Sequence, residues 1–324
     1  MTGVHAAQFA PLAIVSRNGV DESVHFGALV ALNGDGSRAF SVGDATTQIF
    51  PRSSTKPFQA VAMVRAGLTL DAEHLALVCA SHNGEDVHLK IVREILSSVG
   101  LNEDALANTH DYPLHVDSAH QSIRAGNAKS SLQMNCSGKH AGMLATCIVN
   151  GWPIENYLHA EHPLQQAITH TITELTGAEP PAIGVDGCGA PAHVMTLENL
   201  ARGVRAIAVG DAGDAGQHVF AAMSGFPHLV GGTGRHVTAI VGAIPGLCAK
   251  DGAESVYVAA MKDGRAVALK MSDGSGRATP TVLLHALSLL NIDTSHVPES
   301  VTEVVLGHGK VVGQVRISQW DTAS

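Results

Sequence analysis

Ser53 and Lys56 stand three residues apart in Arg52-Ser53-Ser54-Thr55-Lys56-Pro57, a spacing that puts both side chains on one face of a helix. A serine hydroxyl is a weak nucleophile until a base removes its proton. A lysine can be that base only where burial or a neighbouring cation holds it neutral. The stretch follows a strand-like segment, and Pro57 suits the first turn of a helix, where its missing N–H is no loss. The same residues would also make a plain helix start, with a serine cap and an exposed lysine. The pair therefore has to be weighed with the other candidates.

Ser81 opens Ser81-His82-Asn83-Gly84-Glu85, a break between two helical segments. Loop tips of this kind carry site residues, although Ser, Asn and Gly also serve there as caps and turns. In Asn135-Cys136-Ser137-Gly138-Lys139-His140, Lys139 and His140 could face an anion at a helix start. Cys136 and the distant Cys188 of Asp186-Gly187-Cys188-Gly189 offer two thiolates that, with a nitrogen donor, could hold zinc. A buried, inert thiol is the plainer reading of Cys136. Lys270 ends an alternating strand on the same face as Ala268. It reads either as a solvated edge lysine or as an amine reaching across a cleft. Gly231-Gly232-Thr233-Gly234 resembles a phosphate loop but lacks the lysine that would make it one.

Positioning these residues falls to a chain of β, then α-rich, then β order. Leu12 to Arg17, Val24 to Asn33 and Ala39 to Val42 alternate as strands do, separated by Asn18-Gly19 and Asn33-Gly34-Asp35-Gly36 turns. Helical patterns dominate from about residue 70 to 220, with 101–135 mixed. The run Pro180 to Val185 could be a strand. Val237 to Val241 reads as a strand, and Ser255 to Met261 and Arg265 to Met271 flank a Lys262-Asp263-Gly264 hairpin turn. A helix over 277–290 and a strand over 310–317 follow. The expected fold is α+β, one antiparallel sheet built from both termini with a helical lobe beside it. A single domain over 1–324 then has a sheet lobe (about 1–52 and 228–324) and a helix-rich lobe (about 53–227).

The 324 residues are 45% apolar with a net charge of −9 and no basic run, which argues against nucleic acid and anionic membrane as partners. No apolar stretch approaches the ~20 residues of a membrane span. The first basic residue is Arg17, and five irregularly spaced cysteines argue against a disulfide framework. A reduced, cytoplasmic protein is expected. The 19 histidines are scattered rather than paired as ligands.

Taken together and in this order, the Arg52–Gln59, Ser81–Glu85, Asn135–His140 and Gly184–Gly189 stretches, with Leu269-Lys270-Met271, Asp273-Gly274 and Arg277-Ala278, resemble the L-asparaginase II family of thermolabile, rhizobial-type asparaginases. The similarity runs from about residue 12 to 318. It implies a fold similar to that of serine β-lactamases and glutaminases, hydrolysis of L-asparagine to aspartate and ammonia, and a homodimer. It also implies two catalytic tandems, Ser53 with Lys56 and Ser81 with Lys270. Zinc would sit on Cys136, Lys139 and Cys188, in a role of affinity or structure, and Arg52, His140 and Asp186 match pocket positions. Ser53 is the favoured nucleophile, because backbone N–H groups after it would stabilise an oxyanion. A glutaminase or penicillin-recognising hydrolase of the same fold would use similar parts. Met271-Ser272 after Lys270 and the Cys-x-x-Lys…Cys set speak against β-lactam chemistry. A zinc-holding protein that binds asparagine without turnover is the non-enzymatic alternative.

Overall fold

The computed structural model describes residues 8–320 and Thr322. Its centre is an eight-stranded antiparallel sheet drawn from the two ends of the chain. Strands β1 (Ala10–Arg17), β2 (Val20–Leu32) and β3 (Arg38–Val42) come first in sequence. Asn18 and Gly19 both have positive φ (47° and 80°), the conformation a tight hairpin between β1 and β2 demands. After a short β4 (Gln48–Ile49) come the helices α1 (Lys56–Arg65), α2 (Ala72–Val78), α3 (Asp86–Ser98), α4 (Val116–Arg124), α5 (Ser137–Asn150) and α6 (Pro163–Thr176). The short strands β5 (Ile183–Val185) and β6 (Pro191–His193) pair with each other, and β7 (Met195–Thr196) pairs with β4. Helices α7 (Leu197–Val209), α8 (Gly213–Gly225), α9 (Pro227–Val230) and α10 (His236–Ala243) lead back to β8 (Leu247–Gly252), β9 (Val256–Met261) and β10 (Ala266–Met271). Helix α11 (Thr279–Leu289), β11 (Val304–Gly307) and β12 (Lys310–Ile317) close the described chain. The strand order is β11-β12-β1-β2-β10-β9-β8, with β3 also pairing β2.

Alternation along the strands divides the core between the two faces of this sheet. Ala28, Val30 and Leu32 of β2, with Ala266 and Ala268 of β10, join the core of the helical lobe. Leu29 and Ala31, with Val267, Leu269 and Met271, pack on the other side with α10 and α11. The α+β expectation and the sheet shared by both termini therefore hold.

Residues 237–241, expected as a strand, lie instead in α10. Val237, Ile240 and Val241 are buried at helical spacing, and tertiary burial of that face outweighs the β preference of the branched side chains. Strand β8, absent from the sequence reading, is the one next to β9 at the sheet's end.

Candidate active site

Ser53 sits in a 3-10 turn, Arg52–Thr55, that runs directly into α1. Arg52 has φ +54°, a left-handed conformation that a residue with a Cβ adopts only at a cost of about 1–3 kcal/mol. Three contacts hold it there. Thr55 Oγ1 donates to Arg52 O at 2.8 Å, Ser54 N–H donates to Pro51 O at 3.1 Å, and Arg52 Nε donates to Asp186 Oδ1 at 2.5 Å. The Ser54 N–H is thus committed to Pro51 and is no oxyanion donor. Ser54 Oγ donates to Lys250 O at 3.3 Å, joining the turn to β8. A Cβ on Gly252 would lie 2.5 Å from Pro51 O and 2.8 Å from Ser54 Oγ, so the strand and the turn touch backbone to backbone.

Lys56, the first residue of α1, is buried. Its Nζ donates to Ser81 Oγ at 3.0 Å and to Cys136 Sγ at 3.2 Å, and also to Ala80 O. The expected tandems are therefore redrawn: the amine bonded to Ser81 is Lys56, not Lys270. Ser53 shares with Lys56 a small cavity of about 10 Å³, room for one water. Arg52, Lys139 and Asp186 line it too, together with Gln59 and His193.

The Ser81 loop is braced by the Gly231–Gly234 segment, which is scaffold rather than a phosphate cradle. Ser81 N–H donates to Val230 O at 3.2 Å, Asn83 N–H to Gly231 O at 2.9 Å and Asn83 Nδ2 to Thr233 O at 2.8 Å. Gly232 has φ +119°, and a Cβ there would meet the Asn83 side chain at 2.5 Å, so the approach requires glycine.

Lys270 and a lysine that sequence reading passed over, Lys250, both project from the helix-facing side of the sheet. Lys250 is wholly buried, and its Nζ donates to Asp251 Oδ1 at 2.8 Å and to Asp251 O at 2.6 Å. Asp251 also pairs with Arg235, whose Nη1 donates to Ser81 O at 3.3 Å. Burial brings Lys250 down to about 8, with the Lys56 charge adding to the effect and Asp251 opposing it. Burial opposes the charge of Asp251, but Lys250 and Arg235 outweigh it and hold the carboxyl well below its usual range. Lys270 lies two residues further along and two strands over, since Lys250 is level with Val258 and Val258 with Ala268. That places the two Cα atoms about 12 Å apart by strand spacing and rise. Lys270 Nζ donates to Met271 O at 2.7 Å and to Glu254 O. The available signal for Lys250 was a lysine directly after the apolar Leu247-Cys248-Ala249, ahead of Asp-Gly.

The proposed metal ligands converge. Cys136, at the entry to α5, lies beside Cys188, and Lys139 Nζ donates to Cys188 Sγ at 3.1 Å. A hydrogen bond from Cys136 pulls the Cys188 thiol far down, with Lys139 contributing. The same bond, and then burial, push Cys136 up. Lys139 is buried, which disfavours its charge, yet the two sulfurs overcome that and raise it. His140 Nδ1 meets the Tyr157 hydroxyl at 2.8 Å, while its buried Nε2 has no hydrogen-bond partner of good geometry beside Cys188. Two sulfurs and a lysine nitrogen drawn together, with an orphaned ring nitrogen beside them, fit a cation-holding site in which the lysine gives up its proton on binding. Asp186 Oδ2 lies 3.7 Å from Cys188 Sγ. Glu85, His88 and His228 also gather, but His88 Nδ1 accepts from Glu85 N–H at 3.2 Å and its Nε2 bonds His228 O at 3.2 Å. Those bonds close a helix cap and leave no ring nitrogen of His88 for a metal.

Buried hydroxyls and amines thus lie between a helical layer and an antiparallel sheet. The family model described as L-asparaginase II matches residues 13–317, and the chain belongs to that family. No protein of curated function matches it by sequence. Among solved structures it is similar to a putative beta-lactamase from Bacteroides dorei, with 16% identity, 82% of this chain and 93% of that one covered, and a TM-score of 0.44. A Bacillus glutaminase is similar at 13% identity, over 83% of this chain and 92% of that one, with a TM-score of 0.35. The protein Mglu, in its tris and glutamate form, matches at 12% identity and a TM-score of 0.35 over 81% of this chain. This chain spans only 59% of Mglu's length. No helix among the described residues is long and apolar enough to cross a membrane.

Proposed function

We propose that the protein hydrolyses L-asparagine to L-aspartate and ammonia through a serine acyl-enzyme. The observation that carries this reading is the 3.0 Å bond from Lys56 Nζ to Ser81 Oγ, beside the cavity that Lys56 shares with Ser53. Family membership supplies the substrate class.

Ser53 opens onto the cavity and attacks the side-chain amide carbon, while Lys56, having first lost one of the three protons it donates in the resting site, takes the serine's proton. Ammonia is a poor leaving group unless its nitrogen is protonated. Ser81 Oγ, which accepts from Lys56, has its own proton to give to that nitrogen, and Lys56 replaces it. Water then hydrolyses the acyl-enzyme by the same path in reverse. Lys250 takes the place expected of Lys270 as the second amine: neutral near pH 8, it would take up the proton that Lys56 must lose, and Asp251 and Arg235 join it to the Ser81 backbone carbonyl. Cys136, Lys139 and Cys188 would hold zinc, which when bound neutralises the two sulfurs and fixes this wall of the pocket. Arg52 offers positive charge to the substrate carboxylate, and Asp186 orients Arg52.

Ammonia release from L-asparagine and L-glutamine, with nitrocefin in parallel, tests the assignment. Turnover of asparagine well above the other two is expected; preferred turnover of glutamine or nitrocefin would overturn it. A slow substrate should label Ser53 in peptide mass spectrometry, and label on Ser81 alone would exchange the roles of the two serines.

A further inference from the structure

Two residues of the cavity wall carry buried acceptors that nothing among the described residues satisfies. His193, on β6, is 2% exposed and Gln59, on α1, is 4% exposed. His193 Nδ1 and Gln59 Oε1 both lack a hydrogen-bond partner. The His193 tautomer follows from its neighbours. Thr169 Oγ1 donates its one proton to Gln165 O at 2.9 Å, so its contact with His193 Nε2 at 2.9 Å must be donated by the ring. Nδ1 is then a bare lone pair. Burial also brings this histidine down to about 4, so the ring stays neutral at ordinary pH.

A buried acceptor left without a donor costs roughly 1–3 kcal/mol. Two in one wall of a cavity that also holds Ser53 and Lys56 call for a donor from outside the protein, which a single water can supply in the free site and a bound ligand must replace. The rest of the wall carries the opposite chemistry: the Arg52 guanidinium is a cation suited to a carboxylate. The acceptor side suits the opposite end of a zwitterion. We propose that His193 Nδ1 and the Gln59 side chain form the subsite that accepts the α-ammonium group of an amino-acid amide. This rests on the asparagine-hydrolase reading and adds which residues enforce the need for an α-amino group. A site built to hydrogen-bond a polar group rejects the analogue that lacks it, because its own polar atoms are then left unpaired.

Calorimetric titration of the full-length protein with L-asparagine and with 3-carbamoylpropanoate, which lacks only the α-amino group, tests it. The wild type should bind asparagine at least about tenfold more tightly. His193→Phe should weaken asparagine about tenfold and leave the analogue unchanged, while His193→Asn, which keeps an acceptor near Nδ1, should recover most of the loss. Gln59→Met gives a second readout if the histidine variant does not fold. Equal weakening of both ligands, no change in either, or no discrimination by the wild type overturns the subsite. Discrimination without ammonia release keeps the subsite and removes the hydrolase reading. Ammonia release with discrimination intact in His193→Phe and in Gln59→Met does the reverse.

Discussion

Lys250 and Lys270 rise from one face of one sheet, two strands apart, and sit in opposite surroundings. Lys250 is sealed under the Arg52–Thr55 turn and α8, with Asp251 as its partner and Lys56 nearby. Lys270 remains partly exposed at the end of β10 and donates to backbone carbonyls. The sequence around Lys270 looks more like a site, yet burial, not local sequence, decides which amine can lose its proton near neutral pH.

The largest effect that would sharpen this contrast is on turnover. Lys250→Met should lower kcat/KM by about 10²- to 10⁴-fold, the usual range for losing a proton-transfer group. Asp251 keeps Arg235 as a partner, so the variant should fold. The wild-type kcat/KM should rise with a midpoint near pH 8, because the neutral amine is the active form, and the variant should lose that limb. A profile unchanged in Lys250→Met would break the comparison. Stability should show the same group. Lys250 sits near 8 when folded and at the ordinary 10.5 when unfolded, so the unfolded chain holds the extra proton between those values. Stability from this residue therefore rises with pH across that window, and below it the burial cost is fully present. Melting curves of wild type and Lys250→Met should diverge there.

Next in size is Asp251→Asn, which leaves Lys250 and Arg235 without their shared carboxylate. Breaking such a buried pair should cost about 3–5 kcal/mol in chemical denaturation. Chelation comes third. Removing zinc should raise KM about tenfold with kcat nearly unchanged, measured beside metal content; complete loss of turnover with the fold intact would count against a supporting role. Smallest is Lys270→Met, which should stay within about threefold of wild type in kcat/KM and within about 0.5 kcal/mol in stability.

Much of this site was legible in short stretches. The Arg52–Lys56, Ser81–Glu85, Asn135–His140 and Asp186–Cys188 segments come together in the structure, each with its reactive residues where a turn meets a helix or a short strand. What was not legible depended on long-range packing. Lys250 drew no reading from its local sequence, and it is the turn at Ser53 that buries it. His193 ends an unremarkable apolar run, and only Thr169 on α6 fixes its tautomer. Val237 to Val241 is branched enough for a strand, and its neighbours made it a helix. Arg235 follows a glycine loop whose likeness to a phosphate cradle hid its work as a brace.

The bare α-carbon of Gly252 carries a last consequence. A methyl group there would collide with the carbonyl of Pro51 and the hydroxyl of Ser54, forcing the loop that bears the nucleophile to swing away from the strand that bears the second amine. Mutational drift at this position would thus move the proposed nucleophile without altering a single one of the proposed reactive atoms.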